Sequence, residues 1–348
     1  MLMELTRFKT SINRLKRQFL SRVALMRALL IMLVFACIAL SWFLLRSPLS
    51  YLRLISSSPL PSTNGRTNFL FLGIGGDGHE APDLTDTMIL LSVKTDGARP
   101  VLISLPRDFW VPSLRAKINT AYFYGKQKQG IAGGLTLAKS SVSEIINQPV
   151  HFAVVFNFST FSRGIDLVGG LEINVPRTFD DYKYPLPGKE NDPCDGDPEY
   201  SCRYEHLHFE AGPQHLDGST ALKYVRSRNS PDPEEGSDFA RSRRQEQVIS
   251  AFRAKLVSRS VLRHPRIYRD LYRLFSSSLL TDISPQHYFA LARLALSARN
   301  QPLKNITLSE PDQLYHPPIS PEHDNQWVLV PKNNDPQSLF DFVSGHLK

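Results

Sequence analysis

TDTMILLSVKTDGARPVLISLPRD, residues 85–108, places two apolar runs on either side of the turn sequence KTDGAR. Asp96 and Gly97 at the centre of that turn are a strong signal for a β-hairpin. Folding the two runs back about the turn brings Asp86 and Arg107 to the same open end of the hairpin. Polar groups that converge at a strand end commonly build ligand sites in α/β domains. The pair therefore predicts either such a site or a salt bridge that closes the hairpin end.

Further apolar runs alternate with helical patterns along the rest of the chain. Strands are predicted at NFLFL, HFAVVFN and LEINVP, and helices at GGLTLAKSSVSEIIN, FARSRRQEQVISAFRAKLV and much of residues 266–299. Strands interleaved with helices are typical of a layered α/β domain. We place this domain at residues 68–260. Residues 261–348, with a late strand and turn at NQWVLVPKNN, are expected to complete or cap it.

The first part of the chain has the pattern of a membrane anchor. A basic tail, residues 1–27, precedes eighteen uncharged and mostly apolar positions, residues 28–45, which as a helix would span roughly 27 Å. This pattern predicts one transmembrane helix, and a cleaved signal peptide is the alternative. The positive-inside rule then keeps the tail in the cytoplasm and the large domain outside. Residues 46–67, rich in Ser and Pro, are read as a linker.

The overall composition excludes some classes of protein. With 42% hydrophobic and 21% charged residues, the chain is not an intrinsically disordered protein. The formal net charge is +8, but residues 1–27 hold seven Lys or Arg against Glu4, which is +6 and leaves +2 for the remainder. The global charge is therefore weak support for nucleic-acid binding, and no nucleic-acid partner is expected.

The three cysteines fit an extracytoplasmic domain. Cys37 lies in the apolar run, whereas Cys194 and Cys202 flank DGDPEYS in a polar loop. The latter two are close enough in sequence to close a small disulfide ring in an oxidising compartment, and two free surface thiols are the alternative. Two cysteines without a second pair make a zinc site a poor interpretation.

The stretch GIGGDG, residues 73–78, matches the residue pattern of the G-x-G-x-x-G dinucleotide fingerprint but not its sequence context. HEAPDLTD follows it, with Pro82 and turn-forming residues where the fingerprint requires a helix. A dinucleotide site is therefore not expected. The stretch instead predicts a flexible turn that presents Asp77 at the end of a strand.

The stretch YVRSRNSPDPEEGSDFARSRRQEQ, residues 224–247, concentrates arginines around an acidic loop. Arg226 and Arg228 are two apart and would share a face of an extended segment. Beyond the loop, Ser237 or Asp238 can cap a helix on which one face carries Arg241, Arg244 and Gln245. Guanidinium groups at a helix N-terminus suit a pyrophosphate. The alternative is a solvated face paired with Asp232, Glu234 and Glu235, which we accept for Arg243.

Six blocks in this order resemble the LytR-CpsA-Psr domain of bacterial cell-envelope proteins: LTDTMILLSV, SLPRDFWV, KINTAY, DLVGGLEINVP, HLDGSTALKYVRSR and SDFARSRRQEQVI. The resemblance covers about residues 68–256. It implies a three-layer α/β/α sandwich that holds a polyprenyl chain in its core, behind a single N-terminal transmembrane helix in the bacterial cytoplasmic membrane. It also implies a phosphotransferase that moves a glycan from a polyprenyl-pyrophosphate carrier to peptidoglycan or a similar wall acceptor.

The resemblance also implies roles for single residues. Asp77 and Asp86 would form an acidic site for Mg²⁺ or Mn²⁺, and Asp238 would be the general base. The remaining residues would bind the donor phosphates, with Arg107 and Arg241 also neutralising charge during transfer: Arg107, Lys117, Arg226, Arg228, Arg241, Arg244 and Gln245.

Two departures from the family pattern are visible. GIGGDGHE lacks the arginine of the usual Asp-x-Arg sequence, which leaves the alignment of Asp77 open, and Ala240 stands where Gly is common. Two rival functions also remain open from the sequence: a non-catalytic polyprenyl-phosphate-binding regulator of the envelope, and a hydrolase that passes the pyrophosphate to water.

Overall fold

The structure is a computed structural model that describes residues 58–76, 81–189, 191–299 and 301–348, without the side chains of residues 238 and 239. The predicted cytoplasmic tail, the predicted transmembrane helix and Asp77 lie outside the described residues. Within the described ranges, the helices are too short or too polar to cross a bilayer. Residues 59–348 form one compact unit.

The described chain alternates strands and helices, and we number each kind in chain order. The strands are β1 Arg66–Ile74, β2 Thr85–Lys94, β3 Val101–Ser104, β4 Trp110–Val111, β5 Ala116–Lys117, β6 Phe152–Asn157, β7 Leu171–Val175, β8 Phe179–Pro185, β9 Tyr204–Phe209, β10 Gly212–Leu216, β11 Leu280–Thr281, β12 Lys304–Thr307, β13 Leu314–Tyr315 and β14 Val330–Pro331. The α-helices are α1 Ala121–Ile146, α2 Phe158–Leu167, α3 Gly218–Arg226, α4 Asp238–Leu256, α5 Arg259–Leu262, α6 Pro265–Ser278, α7 Tyr288–Ala298 and α8 Pro336–Leu347.

A six-stranded mixed sheet, in the order β11-β6-β1-β2-β3-β12, forms the centre of the fold. The predicted β2–β3 hairpin is confirmed, with Ile89 opposite Ser104 and Leu91 opposite Leu102. Gly97 adopts φ +86° in its turn, a conformation that side chains other than glycine rarely tolerate. Strand β1 pairs antiparallel with β2 and parallel with β6, so the sheet is mixed. Strands β11 and β12, from the last third of the chain, pair with β6 and β3 at its two edges.

The sheet is buried on both faces because its strands are apolar at successive positions. Leu70 and Leu72 of β1 join a cluster with residues of α1 and α8 on one face. Phe69 packs with Phe152 of β6 and Leu294 of α7 in a second cluster on the other face. A strand with both faces covered by helices reads as a continuous apolar run, which is the pattern of NFLFL. The predicted α/β fold is therefore confirmed as a mixed sheet with helices.

A third apolar cluster lies beside the sheet and supports the arginine-rich stretch. Strands β7 and β10 form one two-stranded ribbon, and β8 and β9 form another. Their inward side chains pack with α3 and α4, as Phe179 and Phe209 do against the fully buried Tyr224. A disulfide joins Cys194 to Cys202 in the connection between β8 and β9.

Helix α1 begins at Ala121, twelve residues before the helix predicted at residues 133–147, and it is bent. Gln129 and Gly130 leave helical geometry, with Gly130 at φ +65°. The two segments on either side of the bend touch through glycines: a β-carbon on Gly125 would lie 2.4 Å from the carbonyl oxygen of Gly133. The part of α1 before the bend has a weak helical pattern in the sequence because glycine disfavours helices. Glycine is nevertheless required there, because the backbones of the two segments are in contact.

We expect Gly125→Ala to lower the free energy of unfolding by about 1–3 kcal/mol, since the added methyl group must push two backbones apart. Urea denaturation followed by circular dichroism measures the change. Gly345→Ala in α8 is the matched control, because nothing lies within 4 Å of its β-carbon and Ala is the better helix former. An equal stability of the two variants would contradict the tight contact.

Candidate functional site

The ends of three central strands meet at one place, which we call the strand-end site. Ile74, the last residue of β1, pairs with Asn157 at the end of β6 and with Thr85 at the start of β2. Gly76, just after β1, has φ +79°, and a β-carbon there would lie 2.9 Å from that of Asn157. The backbone at Gly76 therefore lies directly against the end of β6. A side chain at Gly76 would collide with it.

Acidic and basic side chains alternate at the open end of the hairpin. Arg107 donates from Nη1 to Oδ1 of Asp86 at 2.8 Å, and its Nε lies 3.4 Å from Asp108. Lys117 of β5 contacts Asp108 at 2.8 Å. The side chains of Arg107 and Asp86 are 25% and 39% exposed, so a ligand can reach this pair. The structure thus brings Asp86, Arg107 and Lys117 together. The predicted hairpin accounts for the contact between Asp86 and Arg107.

Arg226 is the last residue of α3 and stacks on an aromatic side chain of the strand-end site. Its guanidinium carbon lies 4.1 Å from the ring centre of Phe158, which directly follows β6. Its Nη1 donates to the hydroxyl oxygen of Tyr184 at 3.2 Å. Burial raises the pKa of Tyr184, an effect that Arg226 partly opposes. The neutral hydroxyl and the ring of Phe158 therefore fix the direction of the guanidinium.

A buried carboxylate fixes residues 227–229, which follow α3. Asp181 of β8 is fully buried, and its Oδ2 accepts from the hydroxyl of Ser227 at 2.7 Å. The same oxygen accepts from the backbone N–H groups of Arg228 and Asn229 at 3.1 and 3.2 Å. Its Oδ1 accepts from the N–H of Lys183. These bonds fix the backbone that carries Arg228, whose side chain is exposed.

Arg244 does not occupy the substrate-binding position that the sequence predicts. It is only 2% exposed, and it donates to the carbonyl of Ser227 at 2.5 Å and to the carboxylate of Glu235 at 2.6 Å. Burial lowers the pKa of Arg244, and Glu235 opposes this shift. Its guanidinium lies 4.7 Å from the ring centre of Phe179. Arg244 therefore stabilises residues 226–228 from the buried side. A ligand at the surface would not reach the Arg244 guanidinium.

Arg243 behaves as a charged surface residue in this structure. Its side chain is 45% exposed and donates to the carboxylate of Glu235 at 3.2 Å and to the carbonyl of Glu234. The pairing with this acidic loop agrees with the solvated face accepted for Arg243 on sequence grounds.

Helix α4 reaches the strand-end site with its first turns. Ser237 caps it by accepting from the N–H of Ala240 at 3.1 Å, which settles the choice of cap in favour of Ser237. Gln245 lies with its Nε2 3.4 Å from the hydroxyl of Thr87, the neighbour of Asp86 on β2. Arg241 is one turn earlier on the same helix face, and it is partly buried. The side chain of Asp238 lies outside the described residues.

Three residues that position the arginines were not predicted from the sequence, namely Asp181, Tyr184 and Phe158. A signal existed for Asp181. In FDDYKYP the strand period of two places Asp181 on the same face as Phe179, which is the buried face. A carboxylate at a buried strand position must be hydrogen-bonded, and so it predicts a nearby cluster of donors.

The chemistry of the strand-end site favours a phosphate ligand. Arg107 and Arg226 offer forked N–H donors there, and the N-terminal end of α4 adds a positive potential. Asp86 adds a partly exposed carboxylate of the kind that hard divalent cations bind. The arrangement can hold a polyanion and a cation side by side.

The chain is similar in sequence to known proteins. The LytR_cpsA_psr family profile matches residues 51–334. The chain is 30% identical over 249 residues to the polyisoprenyl-teichoic acid–peptidoglycan teichoic acid transferase TagU of Oceanobacillus iheyensis, covering 70% of this chain and 66% of that protein. It is 28% identical to TagU of Enterococcus faecalis, covering 66% and 65% of the two chains. The chain thus spans slightly less than two thirds of the length of these relatives.

The fold is similar to a solved structure as well. The crystal structure of TagV of B. subtilis superposes with a TM-score of 0.55 at 22% identity, covering 82% of this chain and 98% of that one. At this identity the likeness supports the fold alone. Taken with the profile match over most of the sequence, it shows that the chain belongs to the LytR_cpsA_psr family.

Proposed function

We propose that this protein is a membrane-anchored, Mg²⁺-dependent phosphotransferase. It would move a glycan phosphate from a polyprenyl-pyrophosphate carrier to peptidoglycan or another wall glycan. The observation that carries the proposal is the contact of Arg107 with Asp86 and of Arg226 with Phe158, at the ends of strands β2 and β6, which flank β1. The relatives named as polyisoprenyl-teichoic acid–peptidoglycan teichoic acid transferases support the same reaction class.

The reaction is a displacement at the phosphorus atom that carries the glycan. A hydroxyl oxygen of the acceptor sugar forms the new P–O bond, and the pyrophosphate P–O bond to the lipid phosphate breaks. The proton of the hydroxyl goes to Asp238, and polyprenyl phosphate leaves with the electron pair. The guanidinium groups of Arg107, Arg226, Arg228 and Arg241 neutralise the charge on the transferring and leaving phosphates.

Asp86 is the described residue that would hold the cation. Arg107 contacts it through Oδ1, and the side chain is 39% exposed, so carboxylate surface remains for a metal. Mg²⁺ is commonly held by one or two carboxylates together with substrate phosphates, so this donor set fits the ion. When bound, Mg²⁺ would add positive charge to the phosphates beside Arg107. Asp77 remains the proposed second ligand, and Mn²⁺ is the alternative ion.

The location is part of the proposal. The basic tail at residues 1–27 and the apolar run at residues 28–45 support a single-pass protein of the bacterial cytoplasmic membrane with its large domain outside. The disulfide between Cys194 and Cys202 fits that oxidising side. The helices that cover both sheet faces support a three-layer sandwich, and the apolar cluster between the sheet and α1 is where the polyprenyl chain would lie.

Product analysis tests the reaction directly. The full chain is incubated with a polyprenyl-pyrophosphate-linked oligosaccharide, with and without acceptor glycan, and the phosphate-containing products are separated. We expect glycan phosphate on the acceptor together with polyprenyl phosphate. Release of free glycan phosphate at the same rate without acceptor would show a hydrolase instead, and binding without turnover would show a regulator.

We expect Asp86→Asn to remove the stimulation of transfer by Mg²⁺ and to slow the reaction roughly tenfold at saturating metal, since one charged ligand is lost. Transfer rates over a Mg²⁺ titration measure this. Asp83→Asn is the matched control, because Asp83 is also acidic and follows the Gly-rich turn but pairs with Lys126 at 2.7 Å. Unchanged metal dependence in Asp86→Asn would make Asp86 a partner of Arg107 alone.

A further inference from the structure

A basic surface with exposed apolar side chains lies apart from the strand-end site. It comprises residues 257–273, from the end of α4 through α5 into α6, and we call it the α5–α6 surface. Five arginines lie in it, against Asp270 as the single acid. Asp270 is shared between Arg269 and Arg273, at 3.4 and 3.7 Å. The surface therefore keeps a clear excess of positive charge, while residues 28–348 together carry only +2.

Helix α6 has an inner face, which is buried, and an outer face, which is exposed. Leu271 and Leu274 are buried, and Leu271 packs in the cluster with residues of α2, α3 and α4. Arg266, Arg269 and Arg273 follow at i, i+3 and i+7 on the opposite face and are all exposed. The apolar face of α6 is already used for folding. The arginines on its basic face are not among the arginines of the strand-end site.

Exposed apolar side chains interrupt the arginines on the same surface. Val257, Leu262 and Tyr272 are 58%, 57% and 64% exposed. The hydroxyl of Tyr268 donates to the carbonyl of Leu256, which holds its ring beside the end of α4. A face that served only for solubility would not expose these groups, because exposed apolar side chains grouped among charges mark interaction sites.

We propose that the α5–α6 surface contacts the anionic phospholipid surface of the bilayer. Arginines near such a surface are attracted to acidic headgroups, and Tyr, Leu and Val side chains fit the boundary between headgroups and acyl chains. A polyanionic glycan would match the arginines but would gain little from Val257, Leu262 and Tyr272. Contact at this surface would set the orientation of the domain on the membrane and so the approach of a lipid-linked donor. This last step rests on the proposed function, whereas the contact itself does not.

The test uses the full chain with one reporter thiol. In a Cys37→Ser background, Ser276→Cys on the outer face of α6 is labelled with an environment-sensitive fluorophore, and Ser140→Cys on α1 is labelled as the control. Each protein is reconstituted into vesicles of phosphatidylcholine alone or mixed with phosphatidylglycerol, with quencher groups on the acyl chains. We expect quenching at position 276, in phosphatidylglycerol vesicles only, and its reduction at high salt. Equal quenching at positions 276 and 140 would overturn the proposal.

A charge-reversal variant completes the test. Combined Arg266→Glu, Arg269→Glu and Arg273→Glu should abolish the lipid-dependent quenching at position 276, with an unchanged melting temperature, because these side chains face solvent. Transfer by this variant in detergent solution should match the parent, so a failure of the proposed reaction can be told apart from a failure of the membrane contact. A response of the label to soluble polyphosphate but not to phosphatidylglycerol would identify a polyanion site and overturn the proposal.

Discussion

Replacing Arg226 by Ala is expected to weaken binding of a polyprenyl pyrophosphate by about 10- to 150-fold, because a charge-assisted hydrogen bond contributes roughly 1.5–3 kcal/mol. Arg228→Ala should give a loss of the same order. The guanidinium of Arg226 is already oriented by Phe158 and Tyr184, so little conformational entropy is lost on binding. Binding is measured by titration of the full chain in detergent, and transfer rates are measured in parallel.

Lys at position 226 should restore only a small part of this loss. A lysine ammonium is a point charge, and it lacks the planar fork that stacks on Phe158 and spans two phosphate oxygens. Arg293→Ala, an exposed arginine of α7, is the matched control and should bind like the parent. Arg243 is a poorer control because it contacts Glu235, which holds Arg244. Equal, small losses at positions 226, 228 and 293 would show that the arginines form a solvated face.

The hairpin could be predicted because its determinants are local. Asp96 and Gly97 favour one tight turn, and the apolar runs on either side fix which residues meet across it. Asp86 and Arg107 are equidistant from the turn, so their contact follows from counting along two strands. The same reasoning works for Ser237, whose capping bond reaches only three residues along the chain.

The setting of Arg226 and Arg228 could not be read in the same way. The sequence predicts a short helix that gives way to an extended segment with both arginines on one face. In the structure Arg226 is the last residue of α3, and Ser227 between the two arginines is fully buried. The segment follows this path because Asp181 and Arg244 hold Ser227 from two sides. Asp181 is 46 residues from Ser227 in the chain, and no local pattern links the two.

Arg244 shows a second limit of prediction from helical periodicity. Helical spacing correctly groups Arg244 with Arg241 and Gln245 on one side of α4, but it does not say what covers that side. The acidic loop folds back so that Glu235 meets Arg244 at 2.6 Å, and Phe179 and Tyr224 lie against its guanidinium. Burial of an arginine is tolerated only with such partners, and these partners come from β8, α3 and the loop.

Replacing Asp181 by Ala is expected to lower the free energy of unfolding by at least about 3 kcal/mol, because one buried and three partly buried donors lose their acceptor, and an unsatisfied buried donor costs roughly 1–3 kcal/mol. The donors are the Ser227 hydroxyl and the backbone N–H groups of Lys183, Arg228 and Asn229. Asp181→Asn should cost less, since its carbonyl oxygen can replace Oδ2, while its amide group would face the N–H of Lys183. Urea denaturation measures both variants.

The neighbouring residue provides the control and separates support of the arginines from general stability. Asp180 points to the other side of β8, where it pairs with His206 and His208 at the surface, so Asp180→Ala should cost no more than about 1 kcal/mol. Asp181→Ala, assayed well below its melting temperature, should bind pyrophosphate more weakly than Asp180→Ala, because the backbone N–H of Arg228 loses its acceptor and is no longer fixed. If both variants kept parental affinity despite different stabilities, Asp181 would support the fold without positioning the arginines.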